Sequence, residues 1–177
     1  MLISRTPYRV SFIGGGTDVK EWYSINGGQV LSAAINRYIY ISINEPFDSQ
    51  TNKNKFRVIW RKIDLASNPK NISHPVVRET LKYFSITKPI EIFYSGDLPS
   101  RSGIGSSSAF TVGLISLLNK FYKFNLSKKK IISIAIEIER IKLSEYGGIQ
   151  DQIRCANGGI GYIKINKNGR YSDTKII

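Results

Sequence analysis

The stretch Asp97-Leu98-Pro99-Ser100-Arg101-Ser102-Gly103-Ile104-Gly105-Ser106-Ser107-Ser108-Ala109 lies between a strand-like segment, residues 89–94, and a helical one, residues 109–122. Its residues 99–108 hold two glycines and five serines. A flexible turn with a serine cap needs only one of each. Glycines let a backbone take positive φ and approach a ligand closely. The unpaired N–H groups of a helix start favour an anion, and serine hydroxyls add donors and can ligate Mg²⁺. The pattern therefore points to a cradle for a polyphosphate.

Three better-known patterns are excluded. No Gly-Lys-Ser/Thr follows at Walker spacing. Ser106 is not in Gly-x-Ser-x-Gly, because position 108 is serine. Gly14 and Gly16 begin like a dinucleotide fingerprint, but position 19 is valine.

Outward from the loop, residues 8–13, 29–34, 37–44, 56–60, 89–94 and 160–165 read as strands, rich in β-branched and aromatic residues. Residues 48–55 are polar and read as a loop. Ser73-His74-Pro75 opens a helix to about Phe84, with proline in the first turn. Phe110, Leu114, Leu117, Leu118 and Phe121 form a helical stripe. Residues 127–143 make a further helix, and Asn157-Gly158-Gly159 ends a short one. Asp18-Val-Lys-Glu21 resembles a capping box for a short helix through Tyr23. Strands come first and helices cluster later, which predicts an α+β class with a mixed sheet and helices on one face.

The chain has 177 residues, 41% hydrophobic and 22% charged, which suits one soluble domain. One cysteine, Cys155, excludes an internal disulfide framework and suits a cytoplasmic setting. The start is not a signal peptide, and no apolar run approaches a membrane span. The net charge of +13 is dispersed, with Lys128-Lys129-Lys130 the longest run. No nucleic-acid motif accompanies it, so a nucleic-acid partner is disfavoured.

Two carboxylates are candidates for chemistry. Glu139 shares a helical face with Ile132, Ala135, Ile136 and Leu143, which predicts burial. Spacing alone leaves two readings level: a metal ligand, or a rim residue paired with a lysine. Asp151 follows the Gly147-Gly148 break, where an aspartate stabilised by the helix dipole is the plainer reading.

The segments Pro99-Ser-Arg-Ser-Gly-Ile-Gly-Ser-Ser-Ser108, Arg5-Thr-Pro-Tyr-Arg-Val-Ser-Phe-Ile-Gly-Gly-Gly-Thr-Asp18 and Gly148-Ile-Gln-Asp-Gln152 together resemble the GHMP kinases, in particular the D-glycero-D-manno-heptose 7-phosphate kinases. The resemblance covers essentially the whole chain. It implies the amino-terminal domain fold of that family, shared with the second domain of a ribosomal protein, over residues 1–177. The implied activity is phosphoryl transfer from ATP, with Mg²⁺, to a hydroxyl of a sugar or sugar phosphate.

By the same resemblance, Pro99, Ser102, Gly103, Ile104, Gly105, Ser106, Ser107 and Ser108 would hold the nucleotide phosphates. Ser107 and Glu139 would hold the metal. Asp151 would serve as base and Arg9 would lie near the transferred phosphate. Gly15, Gly16, Thr17 and Asp18 would meet the sugar; Trp22 and Tyr23 would line its pocket or pack in the core. Galactokinases carry Gly-Glu-His-Thr-Asp where this chain has Gly14-Gly15-Gly16-Thr17-Asp18, which argues against galactose. Family members have a second, carboxy-terminal domain with a third glycine-rich motif. Nothing after Gly159 resembles it, so weak or no turnover is expected of this chain alone. A free-sugar kinase of the fucose type, or a non-catalytic nucleotide- or RNA-binding remnant, are the alternatives. The oligomeric state is open, with a homodimer among the options.

Overall fold

A computed structural model describes residues 1–46, 55–99 and 103–176. The long antiparallel pair β1 (Leu2–Ile13) and β2 (Gly28–Asn44) is its spine. Sequence patterning predicts two strands across residues 29–44, yet β2 runs through without a break. The expected interruption survives as a bulge: Pro7 pairs with Tyr38 and Arg9 with Ala34, so Tyr8 faces three residues of β2. Such irregularities re-aim side chains and release ladder donors. The N–H of Arg9 is spent on Ile104 O, at 3.1 Å, in the glycine–serine loop. The strand is six residues longer at its start than expected. Pro7 weakens the strand signal, but among the described residues β1 pairs only with β2, and an edge strand tolerates proline.

The hairpin β3 (Phe56–Ile59) and β4 (Ile63–Ala66) joins β5 (Glu91–Gly96) through a parallel β3–β5 pairing. The strands β6 (Ile160–Ile165) and β7 (Tyr171–Lys175) complete the sheet order β4-β3-β5-β2-β6-β7. Neither β4 nor β7 is anticipated by the sequence pattern. Both are short edge strands, and β7 (Tyr-Ser-Asp-Thr-Lys) is mostly polar, as exposed edges tend to be. The expected loop 48–55 lies outside the described residues apart from Lys55.

The helices are α1 (Lys20–Asn26), α2 (Pro75–Tyr83), α3 (Ser106–Tyr122), α4 (Lys128–Ile136) and α5 (Gln150–Asn157). The class is α+β, as predicted. Helix α3 packs on β1 and β2 so closely that a Cβ at Gly113 would sit 2.6 Å from Thr6 Oγ1. Ala109, Leu114, Ile115 and Leu118 on α3 are fully buried against Ile41, Phe56 and Ile92. Each of the buried leucine and isoleucine side chains contributes about 1.5–3 kcal/mol. A smaller cluster of Val30, Ile132, Ile149, Ile153, Ile163 and Ile165 seats α5 on β2 and β6.

Two local findings shape the site. The helix expected over residues 127–143 is α-helical only to Ile136; Glu137–Lys142 is a π-helical turn, with Leu143 N bonding Ile138 O at 2.9 Å. Such turns often occur at functional sites. The guanidinium of Arg154 on α5 is entirely buried. It donates to Ser32 Oγ, Gly158 O and Asp173 Oδ1 on β7, the last at 2.6 Å, while Asn157 donates to the other oxygen of Asp173. Among the described residues, no helix is long and apolar enough to cross a membrane.

Candidate active site

A cavity of about 560 Å³ opens where the glycine–serine loop, β1 and the start of α5 meet. Helix α3 begins at Ser106, three residues earlier than the apolar stripe suggests, so all three serines lie in its first turn. Gly105 occupies the cap position in left-handed backbone (φ 73°, ψ 29°) and supplies no side-chain cap. The first-turn N–H groups are therefore left for water or a ligand, in the field of the helix dipole. A Cβ on Gly105 would lie 3.1 Å from Arg9 Cγ and 3.5 Å from Asp151 Oδ2. Gly103, Gly105, Ser106 and Ser107 line the cavity, whereas Ser108 points inward and is buried. Ser102 lies outside the described residues; Pro99 is described at the loop's entry, and Ile104 contributes its carbonyl to Arg9.

Arg9 and Asp151 form a two-pronged pair, Nε to Oδ1 at 2.7 Å and Nη2 to Oδ2 at 2.6 Å. The remaining Arg9 nitrogen donates to Gly103 O at 2.9 Å. One guanidinium thus ties the phosphate loop to the start of α5. Burial raises the Asp151 pKa above the ordinary aspartate value; the Arg9 charge and hydrogen bonds oppose this, and nearby Asp18 adds to it.

Asp18 is not a helix cap. Helix α1 starts at Lys20 behind Val19, and the buried Asp18 carboxylate accepts from Gly16 N at 3.2 Å, Gln150 N at 2.9 Å and Gln150 Nε2 at 3.2 Å. Gly148 must be glycine here, because a Cβ would fall 1.8 Å from Asp18 Oδ2. The capping box fails because both carboxylate oxygens are taken by Gly16 and by Gln150, 132 residues away, and Val19 holds the cap position of α1. The Thr17 hydroxyl is spent on Gly14 O and on the backbone of Gln29. Gly15 lies beside Ser11 and Gln150, while Gly16 faces open space. Trp22 is half-exposed beside a separate surface depression, and Tyr23 packs on the smaller core.

Glu139 is fully buried, in line with its predicted face. Its Oε2 accepts from Ser108 Oγ at 2.8 Å and Gln152 Nε2 at 2.5 Å, with Arg140 Nη2 at 3.5 Å. Burial raises its pKa, against the nearby hydroxyls of Thr111 and Ser108, the charge of Arg140 and the Gln152 amide. The resemblance joins Glu139 with Ser107; the structure instead pairs it with Ser108, and directs the Ser107 hydroxyl to Glu145 Oε2 at 3.5 Å. Glu139 Oε1 has no hydrogen-bond partner among the described residues. A buried, unsatisfied carboxylate oxygen beside serine hydroxyls suits a hard divalent cation, which takes oxygen ligands and few of them from protein.

The other end of the cavity is aromatic. His74 stacks on Phe110 with centroids 4.8 Å apart, and Tyr94 meets Phe110 edge-on at 4.7 Å. Burial lowers the His74 pKa to about 4, so this ring is neutral at pH 7. These residues, and Glu145, are missed by sequence reasoning. His74 reads only as a helix opener, Phe110 as core, and Glu145 belongs to no motif.

Comparison with known proteins identifies the frame. Residues 71–159 match the GHMP kinases N terminal domain, and the chain belongs to the GHMP kinase family, whose members are phosphotransferases. It is similar to the D-glycero-alpha-D-manno-heptose 7-phosphate kinase of Campylobacter jejuni, 30% identical over 175 residues, covering 94% of this chain and 51% of that protein. It is similar to the galactokinase of Thermotoga maritima, 29% identical over 156 residues, covering 87% and 43%. Among solved structures, a D-glycero-D-manno-heptose 1-phosphate kinase from Bacteroides thetaiotaomicron superposes with a TM-score of 0.86 at 26% identity, covering 98% of this chain and 59% of that one. The chain thus spans about half the length of the curated relatives it matches. The family membership read from the three motifs is borne out.

Proposed function

We propose that this chain, residues 1–177, is the nucleotide-phosphate-binding part of a kinase that phosphorylates a sugar hydroxyl, with a heptose 7-phosphate-like acceptor. The observation that carries the reading is the meeting, in one cavity, of an uncapped glycine–serine helix start with the Arg9–Asp151 pair. The first-turn N–H groups of α3 bind the phosphates of ATP, and the His74–Tyr94–Phe110 end takes the base. Mg²⁺ would be held by Glu139 and the loop serines; when bound it neutralises phosphate charge.

Asp151 accepts the proton of the attacking hydroxyl at a carboxylate oxygen. Its partly excluded, desolvated position raises its basicity toward that task. Arg9 holds the carboxylate in one orientation by two parallel hydrogen bonds, and offers a positive charge near Gly103 where phosphoryl charge develops. Gly15 and Gly16 approach the acceptor, and the Asp18–Gln150 tie fixes that loop relative to Asp151. A soluble, cytoplasmic setting fits this chemistry.

The test is phosphoryl transfer from γ-labelled ATP by the full-length protein, offered D-glycero-D-manno-heptose 7-phosphate, free heptose, fucose and galactose. Transfer to the sugar phosphate is expected to dominate. Asp151→Asn should lower turnover by about a hundred- to ten-thousandfold while nucleotide still binds. Preference for a free sugar would move the protein toward its galactokinase relatives, and wild-type turnover in Asp151→Asn would remove the base.

A further inference from the structure

Among the described residues, two arginines and four carboxylates surround the start of α3. Arg9 is matched by Asp151 and Arg140 by Glu139, while Asp18 is satisfied by N–H donors. Glu145 is left over. It lines the cavity, and among the described residues no lysine or arginine forms an ion pair with it. Its main chain is fixed: Glu145 N bonds Glu139 O at 2.9 Å, and its carbonyl accepts from Arg140 Nη1 at 3.2 Å. The carboxylate is therefore held beside the serine turn. Alone, it would repel a polyphosphate.

Among the described residues its carboxylate accepts only from the Ser107 hydroxyl, and 3.5 Å is long for an O–H···O bond. A hydroxyl and a carboxylate here both turn oxygen toward the cavity, the donor type a hard divalent cation takes.

We propose that Glu145 is a further ligand of the divalent cation that enters with the nucleotide, beside Ser107 and in addition to the two residues, Ser107 and Glu139, that the family resemblance assigns. This rests on reading the cavity as the nucleotide-phosphate site. It explains why a carboxylate faces a phosphate cradle: with the cation present, Glu145 attracts the complex that it otherwise opposes.

The experiment measures AMP-PNP binding to the 177-residue chain by calorimetry, in EDTA and in MgCl₂, for wild type, Glu145→Gln and Ser107→Ala. Mn²⁺ binding in the presence of AMP-PNP is followed by EPR. Glu145→Gln should tighten metal-free binding by about threefold, because a screened repulsive charge is removed. It should weaken the Mg²⁺ complex, and Mn²⁺ itself, by about tenfold. Ser107→Ala should weaken the Mg²⁺ complex likewise. A merely structural Glu145 would move both affinities in the same direction. That result, or unchanged Mg²⁺ and Mn²⁺ binding in Glu145→Gln, overturns the proposal. Failure of wild type to bind AMP-PNP under either condition overturns the nucleotide reading itself.

Discussion

Ser107 and Ser108 are neighbours on one helical turn, yet they lead into opposite environments. Ser108 is buried and donates to Glu139, which Gln152 and Arg140 also hold. Ser107 lines the cavity and faces Glu145, which no other side chain holds among the described residues. A rotation of about 100° per residue separates the two hydroxyls. The lesson is that one serine–carboxylate pair is tied into the fold by further side chains, whatever ligand its free oxygen takes, while the other faces the cavity without such support, though the sequence presents both as one run of serines.

The contrast can be broken first at Glu139. Replacing it by alanine takes the carboxylate acceptor from Ser108 and Gln152 and leaves the Arg140 charge without its counter-charge, and should cost about 3–5 kcal/mol in urea unfolding. A loss below about 1 kcal/mol would show that this pair is not part of the scaffold. Ser108→Ala should come next, at about 1–3 kcal/mol, because it strips a buried acceptor of one donor.

A pH series sharpens the same point. The folded pKa of Glu139 lies above its ordinary value of 4.5. Between those two values the folded chain keeps a proton that the unfolded chain has released. The Glu139 contribution is thus most favourable below pH 4.5 and declines as pH rises through the folded pKa. Asp151, also raised, contributes with the same sign. Unfolding free energies measured upward from pH 4.5 should fall more steeply in wild type than in Glu139→Gln; parallel curves would contradict the cause assigned to the shift. The smallest effect is expected at the other pair. Ser107→Ala and Glu145→Gln should each change stability by less than about 0.5 kcal/mol, and a larger loss would erase the distinction.

Much of this was legible in the sequence. The glycine–serine run before an apolar stripe located the helix start, and the isoleucine-rich face located Glu139 inside. The α+β class followed from the strand and helix order. What escaped was set at long range. Asp18 looked like a cap because local spacing cannot show Gln150 approaching from the far end of the chain. The π turn at Glu137–Lys142 carries no residue signature, and it precedes the loop that presents Glu145. The edge strand β7 is mostly polar and lacks the apolar alternation that marks a half-buried strand, and β4 is only four residues long. The aromatic end of the cavity draws His74, Tyr94 and Phe110 from three elements, each of which reads as ordinary core or loop.

The buried Arg154–Asp173 pair has a consequence in time as well as in space. An edge strand such as β7 would ordinarily fray and exchange its amide hydrogens quickly. To leave, it must strand a guanidinium in a dry interior, so its departure becomes coupled to the opening of α5. Hydrogen exchange in Tyr171–Lys175 should therefore keep pace with that of Gln150–Asn157, making the outermost strand a clock for the helix that carries Asp151.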